Sequence, residues 1–296
     1  MDKRKKTKKI AVSLIAAVLI VTMTTSAAYA QSSIPGKIDV SVSSKYAIAV
    51  DLTHNKTIYS KNSTKKMRPA SIIKVMTALL VLENTEDMDS TITVNKADVN
   101  KFKGTGEDPF GLIAGEKASV SDILYVAMYK SDAVACYTLA RSVSGSVSSF
   151  TAKMNAKARE LGMKSTSFGD PSGIDMKNTY TTTSDFAKLM KYAVKNKEFM
   201  KIFQGKKYTY GATNKSTKSK TVANAAIALR GGSSLIDGGK LGCTRLAKKT
   251  IVATATISGT QYLFVGAYAK TTSKNSYPNI SDANRVFNKI KSIVSK

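Results

Sequence analysis

Two apolar, β-rich stretches near the C-terminal end, Thr250–Ile257 and Gln261–Ala269, constrain the fold most. Ser258-Gly259-Thr260 joins them as a hairpin turn. A hairpin is marginal alone and needs further strands and a covering layer. The other strand signals lie far away, at Tyr46–Asp51 and Thr57–Ser60, with His54-Asn55-Lys56 in the connection. Helical patterns fill the middle, and a last helix follows Ser281-Asp282-Ala283. Its residues Val286, Phe287, Ile290, Ile293 and Val294 form one apolar face suited to covering a sheet. This order predicts an α+β sheet domain with a helical insertion, and no repeat or linker marks a second domain.

Within the middle, a helix is expected over about 71–84. Thr91-Ile92-Thr93-Val94 opens a polar, glycine-rich region that reads as largely irregular to residue 119. Ser119 or Ser121 caps a helix from Asp122 to Tyr129, and Lys130-Ser131-Asp132 interrupts the pattern before Ala133–Ala140. Another helix starts near Ser148, with Phe150, Met154 and Ala158 as its apolar marks. Phe168-Gly169-Asp170-Pro171-Ser172-Gly173 is a turn signal. Asp185 reads as the cap of a helix beginning near Phe186. The Lys/Ser/Thr-rich tract over 206–221 reads as an irregular connection or a short strand pair.

The first 30 residues have the order of a secretory signal peptide: six basic residues from Lys3 to Lys9, an apolar run to about Met23, then Ala28-Tyr29-Ala30. The apolar run spans roughly 21 Å as a helix, short of the ~30 Å membrane core. Cleavage after Ala30 is expected, leaving residues 31–296 as a secreted, extracellular or wall-associated domain. An uncleaved membrane tether is the alternative. The chain carries 46 basic and 20 acidic residues, a formal +26, which falls to +21 without residues 1–30. Export argues against nucleic acid, so anionic wall polymers or a membrane surface are the expected counterparts. Cys136 and Cys243 are too few to scaffold the domain and are expected to stay reduced. His54 is the only histidine, which leaves zinc sites of the His-rich sort and His-based triads without support. No cofactor is expected.

Chemistry concentrates at Arg68-Pro69-Ala70-Ser71-Ile72-Ile73-Lys74. Pro69 suits a helix start, and Ser71 and Lys74, three apart, share one helical face. A lysine that can accept the hydroxyl proton turns such a serine into an acylating nucleophile. With Ser131-Asp132-Ala133 and Lys240-Leu241-Gly242, this stretch resembles the serine D-alanyl-D-alanine carboxypeptidases. These are the low-molecular-mass penicillin-binding proteins related to serine β-lactamases. Leu161-Gly162-Met163, Phe168–Gly173 and Tyr180–Asp185 match as well, so the resemblance runs from Tyr46 through the last helix. It implies a transpeptidase-like fold, an antiparallel sheet flanked by helices with a helical subdomain.

The resemblance also implies roles. Ser71 would be acylated, Lys74 would take its proton, and Ser131 would relay a proton to the leaving amine. Lys240, Gly242, Cys243 and Thr244 would bind substrate along an edge strand, with the N–H groups of Ser71 and Cys243 holding the oxyanion. The substrate would be a peptidoglycan stem pentapeptide losing its terminal D-alanine, and β-lactams would acylate the same serine. The family usually adds a small β-rich domain and an amphipathic anchor, which favours a secreted or loosely wall-associated form for this shorter chain. Two positions depart from the pattern: Ala133 stands where the family has asparagine, and Leu241 where it has threonine or serine. A catalytically weak or silent wall-peptide binder is therefore the competing reading. A β-lactamase is disfavoured because no separate carboxylate motif activates a deacylating water.

Overall fold

The computed structural model describes residues 34, 36–232 and 234–295; the expected signal segment and its cleavage point lie outside them. Strands β1 (Tyr46–Asp51) and β2 (Lys56–Lys61) form the first hairpin. A 3₁₀ turn, Ala70–Ile73, leads directly into α1 (Lys74–Asn84). Then follow β3 (Thr91–Thr93), α2 (Lys96–Phe102), β4 (Lys117–Ser119) and α3 (Val120–Tyr125), which runs into a π turn over Val126–Lys130. The middle continues through α4 (Ala133–Ser144), α5 (Val147–Glu160), α6 (Thr183–Ala193) and α7 (Lys197–Gln204). After β5 (Lys207–Tyr210), β6 (Lys220–Ala223) and the short α8 (Ala225–Ala228) come β7 (Gly238–Thr244), β8 (Lys248–Ile257), β9 (Thr260–Ala269) and α9 (Pro278–Val294).

The main sheet has the order β2-β1-β9-β8-β7, and all its pairings are antiparallel. Ser258 and Gly259, both at positive φ, make the two-residue connection between β8 and β9. Alternation along the strands splits the core in two. Ala47, Ala49, Ile251, Ala253, Tyr262 and Phe264 face α9, where Val286, Phe287 and Ile290 cover them. Ile48, Val50, Val252, Leu263 and Val265 face the helical layer built on α1, α4 and α6. The central strands are thus buried on both faces, and the last helix covers one face as expected. No helix among the described residues is long and apolar enough to cross a membrane.

Local structure differs from or adds to the expectations at three places. The region 91–119 is irregular over more than half its length, but it also holds three short elements: β3 pairs with β4, and α2, capped by Asn95, lies between them. Its Asp98 is buried through a two-pronged bond from Arg141 at 2.7 and 2.9 Å, which joins α2 to α4. Asp185 does not cap α6; the Thr182 hydroxyl does, accepting from the Asp185 N–H at 2.9 Å. The Asp185 carboxylate instead accepts from Ser165 N and Thr166 Oγ1. Finally, α7 has no counterpart in the sequence reading. The tract over 206–221 contributes the strand pair β5–β6.

Candidate active site

Ser71 sits in the 3₁₀ turn and Lys74 is the first residue of α1, so both belong to one rigid corner. Both side chains are nearly or wholly buried. Lys74 Nζ donates to Ser71 Oγ at 3.0 Å and to the Ser172 carbonyl at 2.5 Å. The second acceptor fixes the end of the Lys74 side chain, while Ala133, one of the two departures from the pattern, carries no polar side-chain group. Ala133 opens α4, fully buried, with its N–H donating to the Glu107 carbonyl at 2.8 Å.

The segment carrying Ser172 is itself tightly held. Asp170, buried, accepts from Ser172 N, Ser172 Oγ and Gly173 N. Gly173 has φ +86°, and a Cβ there would lie 2.2 Å from the Ala70 carbonyl oxygen. Only glycine lets this loop press against the corner that bears Ser71. Thr77 Oγ1 adds a bond to the Pro171 carbonyl at 2.6 Å. The motif read as a turn is therefore the seat of the lysine.

Ser131 and Lys240 form a second pair. Ser131 adopts a left-handed conformation, φ 61°, between the π turn and α4, an uncommon one for a residue with a Cβ. Lys240, on edge strand β7, donates to Ser131 Oγ at 3.0 Å and to the Leu241 carbonyl at 2.9 Å. Burial, and then the neighbouring Lys74 charge, push the Lys240 ammonium down to about 7. Next to Ser131, Asp132 caps α4 through Ala135 N at 2.8 Å and also accepts from Phe110 N. Its carboxyl is pushed well up, chiefly by burial and then by a hydrogen bond with Asp108.

A cleft of about 270 Å³ opens onto Ser71, Ser131, Lys240, Leu241, Gly242 and Cys243. Lys74 lies behind Ser71, bonded to its hydroxyl, and is not itself among the lining residues. At Gly242 a Cβ would fall 2.9 Å from Ser71 N and 3.1 Å from Ala70 Cβ, so glycine allows β7 to approach the serine backbone. Cys243 is exposed in the cleft, whereas Cys136 is buried with its thiol pushed up to about 12; the two are unbonded. Thr244, next along β7, lies outside the lining of this cleft, and its hydroxyl donates to Asp175 at 2.8 Å. The sequence reading missed Glu107, Lys130 and Asn279 in the wall. Asn279, at the start of α9, donates to the Thr250 carbonyl while its own carbonyl oxygen has no partner.

A serine activated by a lysine, with a second serine–lysine pair across the cleft, is the geometry of acyl transfer. The D-alanyl-D-alanine carboxypeptidase family model matches residues 29–271. The chain belongs to this family. It is 29% identical over 249 residues to a D-alanyl-D-alanine carboxypeptidase of Bacillus subtilis, covering 84% of this chain and 63% of that one. A D-alanyl-D-alanine endopeptidase of Escherichia coli is 35% identical over 150 residues, 50% of this chain and 47% of the relative. The chain thus spans about half to two-thirds of these relatives. Among solved structures, a Streptomyces DD-transpeptidase superposes with a TM-score of 0.78 at 27% identity, covering 85% of this chain and 98% of that one. The α+β penicillin-binding fold is therefore that of this carboxypeptidase-family chain as well.

Proposed function

We propose that this chain is a serine-type D-alanyl-D-alanine carboxypeptidase acting on peptidoglycan stem peptides. The observation that carries the reading is Lys74 Nζ at 3.0 Å from Ser71 Oγ beneath an open cleft. Lys74 takes the hydroxyl proton as Ser71 Oγ attacks the carbonyl carbon between the two terminal D-alanines. The N–H groups of Ser71 and Cys243 receive the oxyanion. Ser131 passes a proton to the departing amine, and D-alanine leaves. Water then attacks the acyl-serine, gives its proton back through Lys74, and releases the shortened peptide. Lys240 attracts the terminal carboxylate.

The competing reading, a silent wall-peptide binder, draws on Ala133 and Leu241. Incubation with a β-lactam followed by intact and peptide mass spectrometry separates the two. A covalent adduct on Ser71, absent from Ser71→Ala, is expected. Folded protein that stays unmodified across several β-lactams would leave the silent binder. D-Alanine release from a pentapeptide then measures turnover.

A further inference from the structure

Three residues ahead of Ser71, Arg68 enters the wall of a second groove, of about 310 Å³. Its other lining residues are Tyr46, Lys66, Met67, Lys177, Tyr180, Leu246 and Tyr268, and none is acidic. Arg68 is part of the wall, since its guanidinium donates to the Met176 and Thr179 carbonyls. Among the described residues, no carboxylate pairs with Lys45, Lys66 or Lys177. Lys66 Nζ rests 4.0 Å above the Tyr180 ring, and Lys45 lies 5.5 Å from both Tyr46 and Tyr268. Those two rings meet edge-on at 6.3 Å. The nearby acid, Asp175, is already engaged by Thr244 Oγ1 and Leu246 N.

Tyr268 has φ 60°, a costly backbone conformation for so bulky a residue. That conformation sets its ring beside Tyr46 and beneath Lys45. The groove is thus a row of tyrosines interleaved with ammonium groups with which no carboxylate among the described residues pairs. Such a surface suits a ligand that alternates rings and negative charges. Its apolar lining beyond the tyrosines is only Met67, which is buried, and Leu246, which leaves no bed for acyl chains. The ammonium groups cover ring faces, so a flat nucleobase would have to displace them before stacking. An acidic saccharide can lay its C–H faces on the rings while its own carboxylates take up the displaced ammonium groups.

We propose that this groove binds an acidic saccharide chain, with sugar rings packed on Tyr46, Tyr180 and Tyr268 and carboxylates on Lys45, Lys66 and Lys177. The test uses the full chain carrying Ser71→Ala, so that its outcome is separate from acylation. Fluorescently labelled hexagalacturonic acid is titrated at low and high salt, alongside neutral chitohexaose and oligo-dT of similar length. Salt-sensitive binding of the acidic saccharide above both other probes is expected. Lys66→Gln with Lys177→Gln should weaken it about tenfold or more. Lys289→Gln with Lys291→Gln, the same charge change on α9, should leave it intact. Tyr180→Leu should weaken it too. The lysine pair is exposed and carries the test if Tyr180→Leu fails to fold. Absence of binding, equal binding of chitohexaose or oligo-dT, or equal loss from the α9 pair would each overturn the proposal.

Discussion

Lys240 is the residue on which the cleft's electrostatics turn. Its ammonium, buried beside Ser131, Cys136 and Lys74, titrates near 7. A cation is needed to hold a terminal carboxylate, so affinity for a carboxylate-ended peptide should fall as pH rises through about 7. The corresponding amide-ended peptide should show no such fall, and Asp132→Asn removes the other titrating group next to Ser131. Measuring kcat/KM for both peptides against pH checks this. In stability the sign is opposite: the unfolded lysine holds its proton up to about 10.4. Lys240 therefore costs stability below about 7, and the cost is relieved as pH climbs above that value. At Leu241 the family's hydroxyl is missing. Leu241→Thr should raise kcat/KM for the carboxylate-ended peptide roughly tenfold, the worth of one charge-assisted bond. No gain, or an equal gain on the amide-ended peptide, would refute that assignment. At this scale the sequence was readable where chemistry lies in side chains at fixed spacing, as in Ser71 and Lys74. It was silent on the Ser172 carbonyl, because any residue type carries the same backbone acceptor. The bond from Thr244 to Asp175 was equally hidden, because a strand residue's neighbour is invisible in one dimension.

Among the elements, the loop Asp170–Gly173 matters most to the site, since it holds Lys74 in place of a side-chain amide. Asp170→Ala removes three anchors from that loop. With Lys74 loosened, the rate of β-lactam acylation should drop by about 10- to 100-fold. Gly173→Ala should be worse, combining strain with a clash against Ala70. Stopped-flow acylation with a coloured β-lactam, beside a thermal melt, distinguishes misplacement from unfolding. An unchanged acylation rate in folded Asp170→Ala would refute the role. The loop was legible only as a turn. The main strands were legible as short, β-rich apolar runs bounded by turn residues, and α1 and α9 because apolar residues recur at helical spacing. By contrast, α2 buries only Asp98 and Phe102, so it lacks an apolar stripe, and its anchor is an ion pair with a distant helix. β3 is three residues long with two exposed threonines. α7 did carry a signal, Phe199, Ile202 and Phe203 after the Asn196 cap, but over only eight residues.

For the whole molecule, we propose export, supported by the basic, apolar and small-residue order of the first 30 residues. N-terminal sequencing of protein recovered from the culture medium or wall should begin at Gln31; a start upstream would favour the membrane tether. The fold class was legible from the order of strands and helices, while the pairing of the first strand with the last was not, because register across such a distance leaves no local mark. That pairing has a consequence in time. β1 pairs with β9, Tyr46 opposite Ala267, and β7 reaches its place only beside β8. Lys240 therefore cannot meet Ser131 until the final quarter of the chain has emerged and closed a very long loop, a slow step in folding. Ser71 and Lys74, neighbours in sequence, can be near one another much earlier, yet without β7 they face no cleft. A labelled β-lactam would then act as a clock for the last docking event: the chain becomes reactive only once its end has come home to its beginning.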